Sequence, residues 1–496
     1  MIPKYCSLAL MFLFLFPGAV WGQRLSFQDV QALASNGSST LSGCAYSASD
    51  NAIVLGGSFS RSLSLGEGSE LTSEGFSDAL LIKADDQGQI LWADHGGGES
   101  GDDHGTKVAL DSAGNVYLTG TFMTQAWFGH NPNSSPVDVN GTEIGQTAFV
   151  AKYAQNGTLQ WVWPVLKWKG NTEPVYTSQG YNLAVDDSGV YAVGKFVSDE
   201  LGQEDGYILC LNPDGSFAWD DVMSGDSTFF DRGTSVVLGS EERIYVAGMF
   251  NTSMFIQTWN TTGDYDDSLN VSQDVGTLLQ GNKIYAPDIT VGYDGTLYVT
   301  GAFKDTPDFG SGQLSNQGMK DIFVAAYADN GALNFVVSFG SSGRDIGQAV
   351  SVTRQGNLLV SGQIGDVMEI NGQDLGRAGT TRGLTLLLDG ENGNVLDATA
   401  FEGQDGDSNQ ALGNAMGSGF GLVVGEFENE ISIDGLQATS ETSKDGFWAI
   451  TGPLSSANRR RESDFCFRPS RRDWQGRSNS FCPAGLTPMK WKTPMK

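Results

Sequence analysis

The chain has 496 residues, a formal net charge of −29, 66 Gly and only 14 Pro. Gly at about twice its ordinary usage with so little Pro excludes collagen-like and Pro-rich linker architectures. The acidity excludes nucleic acid and anionic membrane surfaces as partners of the main body, because like charges repel phosphates.

Taken in chain order, residues 1–22 read as a signal peptide. Lys4 precedes the apolar run Leu8–Phe16, and PGAVWG offers a cleavage site after Gly22. The run is shorter than the ~20 residues a spanning helix needs. No later segment is as apolar, so export without membrane insertion is expected. Arg24–Val30 follows as a lone strand, standing one repeat ahead of the rest.

The stretch ALDSAGNVYLTGTF, Ala109 to Phe122, then sets a pattern. Asp111–Gly114 is a tight turn, with Asp able to hold backbone amides and Gly free to take positive φ. NVYLTGTF is a strand, β-branched and aromatic without Pro, and Lys107–Leu110 is its hairpin partner. Variants end at Phe59, Phe196, Phe250, Phe303, Ile364 and Phe427, seven phrases in all. Each carries a Gly inside the strand (Gly57, Gly120, Gly194, Gly248, Gly301, Gly362, Gly425), at a mean period near 61 residues. Gly there signals a bulge or a close approach of neighbouring backbone.

A second phrase of strand, Asp/Asn-Gly turn and strand follows each first one. It begins at Asp78, Thr147, Asp205, Asp321 and Gly383, with a weaker version at Asp267. Two hairpins per repeat make a four-stranded antiparallel sheet, the unit of a β-propeller blade. The seventh repeat has a third strand, Asp445–Thr451, but no fourth. Arg24–Val30 is expected to supply it. The fold expected is therefore all-β: a seven-bladed β-propeller over 23–456, closed by an N-terminal strand.

These phrases also carry a resemblance. The run FVAK…G…W…GG…D.G..VA.D..GNVY.TG.F, clearest in Ala148–Trp161, Gly96–Phe122 and Phe323–Ile364, resembles the bacterial SBBP-type β-propeller repeat family. The likeness spans about Gln23 to Thr451. It implies an exported propeller scaffold and no defined chemistry.

Few residues suggest a reaction. GGGESG (Gly96–Gly101) matches a phosphate-loop pattern, but a strand follows it instead of a helix, so it reads as a blade-to-blade turn. The three histidines, His95, His104 and His130, fall within 36 residues. They lack metal-ligand spacing and read as loop histidines. Carboxylates on Gly turns (Asp85, Asp86, Asp102, Asp103, Asp186, Asp187) are candidates for Ca²⁺, which takes oxygen ligands from such loops, and turn capping is the competing account. No catalytic or cofactor-binding residue is assigned. Trp161, Trp163, Trp168 and Trp219 follow the strand pattern and are expected to pack blades; a sugar platform is the competing account, with Trp168 in KWKG the one placed for exposure.

Four cysteines follow Gly22, and Cys210 in YILCL reads as a small buried hydrophobe. From Ala457 onward the charge reverses: ten Lys/Arg against three Asp/Glu give +7, leaving −36 on residues 1–456. This tail, 457–496, is expected to be disordered, either as a basic extension or as an out-of-frame end. A Cys466–Cys482 bridge there would need a folded tail.

The expected function is a secreted or cell-surface monomer that binds a protein or glycan through its loops, without catalysis. The competing reading is an enzyme acting on extracellular polysaccharide at the central channel. A pair of acidic residues at the channel mouth would favour it.

Overall fold

The computed structural model describes residues 25–454, apart from 67, 133, 144, 171, 199–203, 224–230, 251–252, 275–286 and 441–443. The segment 1–22 expected to be a signal peptide and the segment 457–496 expected to be a disordered tail, with Cys466 and Cys482, lie outside the described residues. Among the described residues all regular structure is strand, and no helix is long and apolar enough to cross a membrane.

Six four-stranded antiparallel sheets and one six-stranded sheet succeed one another along the chain. Their first strands are Ser39–Ser47, His104–Leu110, Thr177–Val185, Asp231–Leu238, Asp288–Val291, Ile346–Val352 and Asn409–Met416. Each first strand packs on the next, and Asn409–Met416 packs back on Ser39–Ser47. The succession therefore closes, with the first strands innermost. Phe27–Ala32 pairs antiparallel with Asp445–Thr451, from Phe27 opposite Thr451 to Ala32 opposite Phe447. An N-terminal strand thus ends the sheet that the C-terminal repeat begins, which covers an edge that would otherwise pair with other chains.

The described residues hold eight sheets of three or more strands, one more than the seven expected. The additional sheet is small: Ser62–Gly66 and Ser69–Thr72 form a hairpin that pairs with Ala34–Ser35. It arises because the link between the second and third strands of the first repeat is long enough to fold on itself. Other such links do the same. Gln125–Phe128 and Val137–Asn140 form a hairpin that adds to the neighbouring first sheet, Trp127 pairing with Gly97 and Phe128 with Gly96. Met368–Leu375 and Glu430–Thr439 hold further hairpins. Second-to-third links all leave the same end of antiparallel sheets, so these excursions gather on one face.

The fourth repeat corrects one expectation. Its second hairpin is Ser253–Asn260 with Tyr265–Asp274, not a phrase beginning at Asp267. The turn is Asn260–Asp264, where Asn260 Oδ1 accepts the amides of Thr262 (3.0 Å) and Asp264 (2.9 Å) and Gly263 takes φ 91°. SMFIQTW begins with Ser where the third strands of the first, fifth and seventh repeats begin with Asp, and its pairing with Arg243–Phe250 places it.

The recurrent strand glycine has a single cause in six sheets. The inner strand bulges opposite it, as between Leu41 and Gly43 or between Gly233 and Ser235. The bulge turns a carbonyl oxygen into the space of the missing side chain. A Cβ on Gly57, Gly120, Gly194, Gly248, Gly362 or Gly425 would overlap the carbonyl of Thr40, His104, Gln179, Arg232, Ile346 or Gln410. Gly301 faces the Phe323 ring, and the described part of its inner partner strand, Asp288–Val291, ends before the position opposite it.

Between sheets the tryptophans repeat one contact. Trp92, Trp161 and Trp219 donate their indole N–H to Gln155 O (3.1 Å), Pro213 O (3.4 Å) and Thr261 O (3.0 Å) in the next sheet's outer turn. Their rings cover Gly157, Gly215 and Gly263 of those turns. Cys210 is buried and unpaired, as is Cys44.

Candidate functional site at the channel mouth

Around the central axis the innermost strands are joined by polar side chains on or beside the bulges. Ser42 Oγ donates to Gly105 O (2.8 Å), Thr106 Oγ1 to Gly180 O (2.9 Å) and Asn182 Nδ2 to Ser235 Oγ (3.0 Å). Ser235 Oγ donates to Asp288 Oδ1 (2.7 Å), and Asp288 Oδ2 accepts the Val350 amide (2.9 Å). Asn414 Nδ2 donates to Ala349 O (3.0 Å), and Thr40 Oγ1 to Glu426 Oε2 (2.7 Å). This belt passes through every sheet and returns to its start. Its groups are buried or half-buried and, apart from Asn414 Oδ1, paired, so their desolvation is largely offset and the wall of the channel is held rigid.

Above the belt, on the face carrying the long links, the side chains are charged or amide-bearing. Lys195 pairs with Glu204 at 2.6 Å, and Tyr181 donates to Gln179 Oε1 at 2.7 Å. Between the sixth and seventh sheets a cavity of about 310 Å³ opens, lined by Arg344, Gln363, Asn409, Gln410, Glu426, Glu428 and Lys444 among others. Two carboxylates share this cavity, and both are engaged. Glu426 pairs with Lys444 (2.5 Å) and accepts from Gln410 and Thr40, while Glu428 Oε2 accepts the Ser408 amide (3.0 Å).

The six aspartates singled out in the sequence hold turns and links. Asp85 Oδ1 accepts the amides of Gln87 (2.9 Å) and Gln89 (2.8 Å). Asp186 Oδ1 accepts from the Ser188 and Gly189 amides and the Ser188 hydroxyl, and Asp187 accepts from Ser112 at 2.6 Å. Asp86 accepts from Gln87 Nε2 (3.4 Å), and Asp102 from Ser77 Oγ (3.3 Å). Asp103 is fully buried and binds the Gly98 amide (2.8 Å) and the Met123 amide (2.7 Å). GGGESG is thus the link into the second sheet, fastened by Asp103. GSSG at Gly340–Gly343 is fastened in the same way by Asp345.

The histidines are not all loop residues. His95 lies in the strand Ile90–Gly97 with 5% exposure, and His104 opens the strand His104–Leu110. His130 follows the hairpin strand Gln125–Phe128. Docking of that hairpin stacks its ring on His95, with centroids 4.2 Å apart. His104 does not join them. Glu74 does: one ligand atom each from Glu74, His95 and His130 lie within 4.8 Å of one another. Asp78 Oδ2 is 3.6 Å from His95 Nε2. Sequence reasoning missed Glu74 and Asp78, and no spacing could have found them, since the link 60–77 has its own irregular length.

The closed succession of four-stranded sheets makes the protein a β-propeller. A family model described as "Domain of unknown function (DUF5122) beta-propeller" matches residues 189–217. No curated protein matches the chain. Among solved structures it is similar to the Dos1 propeller, at 9% identity and TM-score 0.43, covering 86% of this chain and 95% of that one. Saccharomyces cerevisiae Sqt1 follows at 8% identity and TM-score 0.40, covering 87% and 100%. XC5397 of Xanthomonas campestris, a gluconolactonase, gives 11% identity and TM-score 0.33, covering 68% and 91%.

Proposed function

We propose that the protein is a secreted, monomeric, non-enzymatic scaffold that binds an extracellular or cell-surface protein or glycan at the mouth of its channel. In this reading seven sheets are blades of the SBBP-type repeat. The eighth, with strands of two, five and four residues, is a satellite of the first blade. The observation that carries the proposal is the cavity beside Gln410 and Glu426. It offers cationic, anionic and amide groups together on a rigid wall, as recognition of a polar, many-hydroxyl or peptide surface requires.

The pair Glu426 and Glu428 gives the competing reading, a polysaccharide-active enzyme, its one specific support. Glycoside cleavage needs one carboxyl to donate a proton and the other to act unencumbered. Both are already occupied by Lys444, Gln410, Thr40 and the Ser408 amide, which favours binding over turnover. A glycan and protein array probed with residues 23–456 tests the proposal. Retained ligands should be lost in Gln410→Ala and Glu428→Ala and released unaltered. Cleavage of a bound polysaccharide would establish the enzyme instead, and binding indifferent to both variants would remove the cavity as the site.

A further inference from the structure

We infer that Glu74, His95 and His130 form a binding site for a divalent transition-metal ion of the zinc class, which clips two long links onto the edge of the first sheet. Each ligand arrives from a different element. Glu74 lies in the link before Asp78–Asp85, His95 near the end of the fourth strand, and His130 in the turn after Gln125–Phe128. Two imidazoles with a carboxylate suit zinc and its neighbours, and do not suit calcium, which prefers oxygen ligands alone.

The independent sign of a ligand is unmet bonding inside the protein. His95 is 5% exposed, yet among the described residues neither ring nitrogen has a hydrogen-bond partner, and Asp78 Oδ1 beside it has none. Leaving a buried polar group unpaired incurs its desolvation cost without return, so an unpaired pair of ring nitrogens calls for a partner. The surroundings also have the form that orients metal ligands. His130 Nε2 sits 3.2 Å from Trp127 O. A carbonyl can only accept, so this nitrogen carries the proton and Nδ1 keeps its lone pair. The carboxylate of Asp78 lies 3.6 Å from His95 Nε2, within reach of it on a small shift, and metal-bound histidines characteristically turn their second nitrogen to a carbonyl or carboxylate. The His130 amide is itself fixed, donating to Asp94 Oδ1 at 2.7 Å.

Bonds of ~2.0–2.1 Å in a tetrahedron place ligand atoms about 3.4 Å apart. Contraction from 4.8 Å falls to Glu74, which is exposed, and His130, which is half-buried, while His95 stays in place.

The test is Zn²⁺ titration of the untagged chain from Gln23 in competition with a chromophoric chelator, paired with the visible spectrum of Co²⁺ in the same site. We expect one Zn²⁺ per chain and intense tetrahedral Co²⁺ bands. His130→Gln and Glu74→Gln, both on the solvent side, should weaken binding by at least about tenfold. His104→Gln should leave it unchanged. Should His95→Gln fail to fold, the two solvent-side variants still decide the matter. Absence of stoichiometric Zn²⁺ binding, or equal affinity in His130→Gln, Glu74→Gln and the unaltered chain, would overturn the site.

Discussion

Asp103 accepts the Met123 amide at 2.7 Å, tying the link before one strand to the far end of the next, Val116–Met123. Asp345 makes the same bond to Gly365 at 2.8 Å, so the tie belongs to the repeat. Burial pushes the Asp103 carboxyl up to about 7, against its two amide hydrogen bonds and with help from the charges of Asp78 and Asp102. A raised folded-state value means that the folded protein holds the proton more tightly than the unfolded chain. Its contribution is therefore complete below the ordinary carboxyl range and is lost as pH rises toward 7. Asn cannot titrate. The stability of the unaltered protein relative to Asp103→Asn should fall between pH 5 and pH 8, read from urea midpoints at each pH. A difference independent of pH would show that Asp103 does not titrate in this window.

Replacing Gly120 by Ala should destabilise the fold by at least about 2 kcal/mol, because the Cβ would overlap a backbone carbonyl that cannot move without unmaking the bulge. Among the described residues, a Cβ at Gly301 meets the Phe323 ring, whose nearest atom is 2.9 Å away, and Pro287 Cα at 3.5 Å. Gly301→Ala should cost about 1 kcal/mol. Denaturant unfolding of the two variants checks the order. Equal losses would mean that the bulge is not what excludes a side chain.

Trp92 covers Gly157, which takes φ 89°, and a Cβ there would sit 2.9 Å from the indole. Trp92→Ala removes ring packing and an interblade hydrogen bond, an expected loss of about 3 kcal/mol. Gly157→Ala should cost about 1–2 kcal/mol through strain alone. The pair combined should cost less than the sum, since loss of the indole leaves room for the new methyl. Strict additivity would place the two residues in separate contacts.

Phe27 is 5% exposed and meets Phe401 edge-on at 6.0 Å, and its amide donates to Asp434 at 3.0 Å. Phe27→Ala should cost about 3–4 kcal/mol. Deleting residues 24–35 removes the closing strand and exposes the edge of Asp445–Thr451. Limited proteolysis should then cut first in the seventh repeat. An unchanged digestion pattern would show that closure does not depend on this strand.

In protein already stripped of transition metals, saturating Ca²⁺ should leave the melting temperature unchanged. The oxygen that Asp186 directs inward already accepts three hydrogen bonds, and Asp85 Oδ1 accepts two. A native-state ligand must raise the midpoint, so an increase with Ca²⁺ would return these turns to metal binding.

The repeated sheet was legible in the sequence because its causes are local. Strand alternation, Asp-Gly turns and a Gly at fixed phase each act within a dozen residues, and repetition sums weak signals into one. The glycine's role as the seat of a bulge, and the place of the N-terminal strand beside Asp445–Thr451, followed from that phase. What the phase could not carry was left to tertiary structure. The fourth repeat's second hairpin departs from the phrase, and only its partner strand Arg243–Phe250 sets its register. The 124–145 link differs in length and sequence from the corresponding links of the other repeats, so its docking on the first sheet is decided by packing. That packing alone brings His130 from 35 positions away onto His95, and the 60–77 link brings Glu74. Side chains that meet through separate links of irregular length have no sequence spacing, and so leave no motif to read.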